Sequence, residues 1–139
     1  MIIAIDFDGT IVTHEYPNIG KPLKGAIKTI KTMINNGHKI FLWTMRGSKR
    51  YNGRDLLHEA VEYLEDNDIH LNGINRSPAQ FSTSPKQYAE IYIDDDAISD
   101  ICQYVDGNGR PMVDWWLVGR HLVARDVISD EQFNKIWDE

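Results

Sequence analysis

The sequence is poor in the features that mark several large protein classes. It has one cysteine, Cys102, in 139 residues. A lone cysteine forms no internal disulfide, and no Cys/His cluster offers a zinc site. Cys102 reads as a small buried side chain in a protein suited to a reducing cytosol. Long apolar runs are also missing, and nothing approaches the about 18 residues that a membrane-spanning helix needs. The run from Ile2 to Ile5 is too short for a signal peptide and has no basic stretch before it. Positive charge is scarce, with 15 Lys and Arg against 21 Asp and Glu, a formal net charge of −6. Broad nucleic-acid binding needs a basic surface, so no nucleic acid is expected as a structural partner. No membrane partner is expected either, and the expected compartment is the cytoplasm. Repeats, low-complexity stretches and linkers are absent, and the length suits one domain.

What is present is a chain with 42% hydrophobic and 26% charged residues, enough apolar material for an ordinary core. Ile2 to Ile5 is a continuous apolar run of the kind found in strands buried on both faces of a parallel sheet. Thr10 to Pro22, punctuated by Pro17, Gly20 and Pro22, reads as a loop or flap. Leu23 to Asn36 carries Leu23, Ala26, Ile27, Ile30, Met33 and Ile34 at the helical period, with Pro22 suited to the first turn and Gly37 to the stop. Lys39 to Trp43 is a second buried strand, which completes a βαβ unit with parallel strands. Leu56, Leu57, Ala60, Val61 and Leu64 define a second helix. Ile69, Leu71 and Ile74 mark a short strand or connector, Ser77 to Pro85 a loop, and Ile91 to Ile93 a further strand. Beyond a turn at Gly107, Gly109 and Pro111, Val113 to Val118 fits strand or helix. Ser129 and Gln132 form a capping-box pattern for a last helix over Asp130 to Asp138.

Polar groups follow the strands in a telling way. Asp6 and Asp8 follow the first, Thr44 the second, and Asp94 and Asp95 the strand at Ile91 to Ile93. Parallel sheets bind ligands outside the carboxyl ends of their strands, so these side chains are expected on one edge. Asp6 and Asp8 project to the same side of an extended chain while Phe7 turns into the core. Gly9 permits a sharp turn with backbone close to a ligand. Carboxylates gathered in this way repel one another, and a divalent cation with a taste for oxygen, Mg²⁺, relieves the repulsion.

Asp6-Phe7-Asp8-Gly9-Thr10 after an apolar strand resembles the first motif of the haloacid dehalogenase-like phosphohydrolase superfamily. Thr44, Lys86 and the Asp94-Asp95 pair follow in the order of its other motifs, so the resemblance spans roughly residues 1 to 100. It implies an α/β fold: a single Rossmann-like three-layer sandwich with a mostly parallel central sheet, residues 101–139 forming a C-terminal extension packed on the core. It further implies a Mg²⁺-dependent phosphatase acting on phosphate monoesters. Asp6 is then the nucleophile that forms an aspartyl-phosphate, and Asp8 the general acid and base. Thr44 bonds phosphoryl oxygens, and Lys86 offsets negative charge. The metal ligands implied are Asp6, Asp8 through its backbone carbonyl, Asp94 and Asp95. Phosphoryl transfer to another acceptor uses the same intermediate, and a receiver-like or non-catalytic phosphate-binding module is the rival of a different class.

Neither Thr10 to Pro22 nor Met45 to Pro85 has room for a cap domain with its own core, so the chain resembles the capless members of that superfamily. An open site suits a small-molecule or phosphorylated macromolecular substrate, or a partner subunit that completes the wall. Arg46, Lys49, Arg50 and Arg54 form a local basic exception after Thr44. Arg46 is the expected anchor for an anionic substrate, since a guanidinium meets phosphate oxygens two at a time. Gly9 and Thr10 complete the expected substrate-binding set, and His14, Tyr16 and Asn18 lie in the flap within reach of substrate. Trp115, Trp116 and Trp137 read as packing against the core, with homo-oligomer formation as the alternative.

Overall fold

Burial on one side of a strand demands partners at the same period, and the first strand finds them on both flanks. A computed structural model describes residues 1–77 and 83–138. Strand β1 (Ile2–Ile5) lies between β2 (Lys39–Leu42) and β4 (Ile91–Ile93), and β3 (Gly73–Ile74) flanks β2. The strand order is β3-β2-β1-β4 and all pairings are parallel. Ile5 stands opposite Leu42 on one side and Ile93 on the other, so these strands end at one level. The fold is α/β with a parallel central sheet and no separate domain, as expected.

The helices α1 (Ala26–Asn35) and α2 (Leu56–Asp66) connect β1 to β2 and β2 to β3. Both crossovers step the same way along the sheet, and right-handed crossovers then put both helices on one face. That face carries Ile3, Ile5, Ile40, Leu42 and Ile93, joined in one apolar cluster with Ile30 and Met33 of α1 and Ala60 and Leu64 of α2. An antiparallel pair, β5 (Tyr104–Val105) and β6 (Pro111–Met112), precedes α3 (Trp115–Ala124) and α4 (Asp130–Trp137). Val118, Leu122 and Phe133 bring these last helices into the same cluster. Burying each such side chain stabilises the fold by about 1.5–3 kcal/mol.

Ala4, Phe41 and Tyr92 stand side by side on the opposite face. Gly73 lies beside them, where an added Cβ would fall 2.5 Å from the Phe41 ring, which explains a glycine inside a strand. Described residues of the β3–β4 connection reach this face at Tyr92. The Tyr92 hydroxyl donates to the Gln87 carbonyl, and Lys86 Nζ lies over the Tyr92 ring. The loop expected over Ser77 to Pro85 falls partly outside the described residues.

Two boundaries differ from the pattern in the sequence. Helix α1 begins at Ala26 because the preceding turn is held elsewhere: Val12 bridges to Pro22, and Leu23 N–H donates to the Ile11 carbonyl. Gly25 adopts φ 84°, and Trp137 packs so closely that a Cβ there would meet its ring at 2.4 Å. The ambiguous segment from Val113 to Val118 divides at Asp114, whose carboxylate accepts from Trp116 and Leu117 N–H and starts α3. The capping box at Ser129 and Gln132 forms as expected. No described helix is long and apolar enough to cross a membrane.

The C-terminal tryptophans have distinct places. Trp115 is buried, and its indole N–H donates 2.6 Å to the Thr10 carbonyl, supporting the loop after β1 from behind. Trp116 is partly exposed and meets Phe133 edge-on. Replacing Trp115 with Phe should lower stability to urea by about 1–3 kcal/mol, through the lost donor and lost ring volume. An unchanged midpoint would mean that the loop is held without this bond.

Candidate active site

The matched ends of β1 and β4 bring their trailing acids together. Asp6 N–H donates to the Ile93 carbonyl at 3.0 Å, so the chain is still tied to β4 where the acids begin. From there it turns tightly, with Thr10 and Ile11 N–H both directed at the Phe7 carbonyl. Phe7 is fully buried beneath this turn and meets Tyr63 of α2 edge-on. One carboxylate oxygen from each of Asp6, Asp94 and Asp95 lies within 4.8 Å of the other two. Oxygen donors alone are the set that hard cations such as Mg²⁺ take.

The crowding has an electrostatic signature. Burial pushes the Asp6 carboxyl from its ordinary 3.8 up to about 8, aided by a hydrogen bond to Asp95 and the charges of Asp94 and Asp95. Asp94 is pushed up too, first by burial, although the Asp96 N–H that donates to it acts the other way. Asp95 is braced on two sides. Thr10 Oγ1 lies 3.3 Å from Asp95 Oδ1 and 3.2 Å from Asp6 Oδ2, and accepts from Asp95 N–H. His14 Nε2 lies 3.1 Å from Asp95 Oδ2 and 3.0 Å from the Pro111 carbonyl. Both neighbours are acceptors, so Nε2 carries the hydrogen.

Five of the expected site residues, Asp8, Arg46, Gly9, Thr10 and Lys86, have partners within the protein. Asp8 does not join the carboxylate cluster with its side chain. Both of its oxygens accept from Arg46, Nε and Nη2, each at 2.8 Å. Arg46 is correspondingly no free anchor for substrate: it is 1% exposed, and its other N–H groups donate to the carbonyls of Pro17, Asn18 and Leu56. A guanidinium has five N–H donors, and all are engaged. Its Cζ also lies over the rings of Phe7 and Tyr16, at 5.1 and 5.3 Å from their centroids. Gly9 and Thr10 are not open to substrate either. Gly9 N–H donates to Val12, its carbonyl accepts from Val113, and Thr10 is buried between Asp6 and Asp95. Glycine is required at position 9, where φ is 77° and a Cβ would lie 2.2 Å from the His14 ring. Lys86 is exposed, with Nζ 5.6 Å from the centroid of the Tyr92 ring rather than beside the acids.

The acids open onto a cavity of about 260 Å³. Asp6, Asp8, Thr44, Asp95, Tyr16, Met45 and Arg110 are among the residues that line it. Thr44 Oγ1 accepts from Arg46 N–H, which leaves its own hydrogen free to donate into the cavity. Met45 is 98% exposed, so this mouth is open to solvent. Elsewhere the basic loop braces the protein itself, with Arg54 paired to Glu59 at 2.6 Å and Arg50 donating to Gly53. Two residues outside the expected core set emerge. His14 was readable only as a flap residue, because nothing in its spacing announces Asp95. Arg110 follows a glycine turn and carries no motif at all.

No protein-family profile matches the chain, and no curated protein matches it. Among solved structures it is similar to a conserved protein from Bacteroides thetaiotaomicron, at 28% identity and a TM-score of 0.67, over 95% of both chains. The likeness thus runs through the acid-bearing strand ends and the C-terminal helices alike.

Two measurements probe this arrangement. Arg46→Ala leaves Asp8 without its partner and several carbonyls without donors, and should cost about 3–5 kcal/mol in urea unfolding. Arg46→Lys should recover only part of that, because an ammonium cannot copy the fork. The second concerns pH. A carboxyl raised on folding stabilises the folded state below its unfolded value, and that contribution is lost as pH climbs through the folded value. In chelator, stability should therefore fall between pH 4 and 8, the window set by the Asp6 shift. Asp6→Asn should flatten the fall and exceed the parent by roughly 1–3 kcal/mol at pH 8. Parallel pH curves for the two proteins would refute the crowding of Asp6.

Proposed function

We propose that this protein is a Mg²⁺-dependent phosphohydrolase of the haloacid dehalogenase-like type, acting on phosphate monoesters through an aspartyl-phosphate on Asp6. The observation that carries the proposal is the meeting of Asp6, Asp94 and Asp95 carboxylates within 4.8 Å, with Asp6 and Asp95 lining a cavity. Such a cluster supports oxygen-only cation binding, and it includes the side chain that the Asp6-Phe7-Asp8-Gly9-Thr10 motif assigns as nucleophile. Asp6, Asp94 and Asp95 would hold the ion, which supplies positive charge against the anionic ester and nucleophile.

The chain's own groups account for the rest of the chemistry. An Asp6 oxygen forms a bond to phosphorus as the bond to the leaving oxygen breaks. Asp8 donates the proton that the leaving oxygen takes up, then accepts one from the water that cleaves the aspartyl-phosphate and regenerates Asp6. Arg46 takes one lone pair on each Asp8 oxygen, so a second remains on each to carry or receive that proton. Arg46 is thereby a positioning residue, holding Asp8 on the cavity wall. Thr44 donates its hydroxyl hydrogen to a phosphoryl oxygen. The open mouth beside Met45 favours substrates with a large leaving group, among them sugar phosphates, nucleotides and phosphorylated polysaccharide precursors. A cytosolic setting goes with this reading and with the single free thiol of Cys102.

Purified protein with Mg²⁺ should release phosphate from p-nitrophenyl phosphate, and Asp6→Asn should reduce the rate by about 10³-fold or more. Turnover in that variant at the parent's rate would remove Asp6 as nucleophile. Product analysis with alcohol acceptors present separates hydrolysis from phosphoryl transfer.

A further inference from the structure

The proposed reaction leaves a deficit of positive charge. A phosphomonoester dianion must enter a cavity that Asp6, Asp8, Asp95 and Asp96 line, with Asp94 completing the carboxylate cluster. One divalent cation does not balance that charge. The two side chains expected to help are engaged elsewhere, Arg46 with Asp8 and three carbonyls, Lys86 over the Tyr92 ring. Arg110 is the remaining cation on the cavity wall. Among the described residues its guanidinium makes no hydrogen bond or ion pair, and its charge acts on the Asp106 carboxylate only at longer range.

Its backbone, by contrast, is firmly held. Arg110 N–H donates 3.0 Å to Asp106 Oδ1, and its carbonyl accepts from Asp106 N–H at 2.8 Å. The next residue, Pro111, accepts from His14, and Val113 N–H donates to the Gly9 carbonyl. The β5–β6 turn is thus stitched to the loop that carries the nucleophile, which fixes the root of Arg110 against the site while its tip stays in solvent. We propose that Arg110 binds the non-bridging oxygens of the phosphoryl group that Asp6 attacks. This rests on the phosphohydrolase reading and adds to it the residue that recognises the phosphate. A planar guanidinium meets two phosphate oxygens at once, an arrangement that a lysine copies only in part.

The test compares the parent with Arg110→Ala, Arg110→Lys and Lys86→Ala, using p-nitrophenyl phosphate and Mg²⁺. Arg110→Ala should raise KM, and the inhibition constant of inorganic phosphate, by about 10- to 100-fold, the usual weight of a charged hydrogen bond. Arg110→Lys should restore part of both, and the Mg²⁺ concentration for half activation should not rise. An unchanged KM in Arg110→Ala would overturn the assignment. So would tighter Mg²⁺ binding with no other change, which would make Arg110 a mere counter-ion to the carboxylates, or an increase in KM confined to Lys86→Ala. Calorimetry with inorganic phosphate and Mg²⁺ separates the two levels of the argument. A parent that binds phosphate through Arg110 but never turns over refutes hydrolysis and leaves Arg110 standing. A parent that neither binds nor turns over refutes both.

Discussion

Three carboxyl groups held within 4.8 Å of one another, with Asp95 buried among them, is an arrangement that a folded chain resists. Each charge loses hydration, and each repels the others. The strain is local, whereas the means of enforcing it are spread across the fold. Ile5 and Ile93 in register set the two strand ends at one height, and Asp6 remains bonded to Ile93 after β1 has ended. Thr10 then stands between Asp6 and Asp95, and His14 closes on Asp95 from the flap. A site that is unfavourable when empty of positive charge gains the most from a cation, which is why crowding supports a binding role better than any single acid could.

Asp8 illustrates a different economy of charge. It leaves the strand two residues after Asp6 but meets a guanidinium rather than its neighbours. Arg46 is nearly inaccessible, and such a charge is tolerable inside a protein only when every donor is satisfied. Its partners come from three separate segments: Asp8 after β1, Pro17 and Asn18 in the flap, and Leu56 at the start of α2. One side chain therefore ties the flap and α2 to the loop that carries the acids, and its Cζ lies over the rings of Phe7 and Tyr16. That makes Asp8 a fixed group rather than a mobile one, as the proposed proton transfer requires.

Much of the frame was legible in the sequence because it follows from burial. The run from Ile2 to Ile5 had to be a strand between two others, and the acids after it had to emerge at the carboxyl edge. The meeting of Asp6 with Asp94 and Asp95 follows from the same rule. What the sequence does not carry is how many donors a side chain has left. Arg46 looked free because its neighbours Lys49 and Arg50 are basic and polar, yet its five N–H groups are consumed by partners far away in sequence. Thr10 and Gly9 follow the first acids in sequence but face inward, toward Asp95, His14 and Val113. Lys86 has a motif lysine's position in the order of elements, whereas its side chain follows the exposed ring of Tyr92. Helix α1 starts late for a similar reason: the bond from Leu23 to Ile11 is a tertiary contact, invisible in the periodicity that marked Leu23 as helical.

The C-terminal extension changes in meaning once these contacts are assembled. Its helices could have served only to cover apolar surface, but three of its residues reach the N-terminal loop directly. Trp115 supports Thr10, Pro111 receives His14, and Val113 ties down Gly9. All three lie within five residues of Arg110, so the same hairpin and helix start that stiffen the acid loop also bring a positive charge to its edge. In a site without a folded unit of its own above it, a short turn rooted in this way provides both wall and counter-charge. The acids at the strand ends and the arginine opposite them are then one device, assembled from the two ends of the chain.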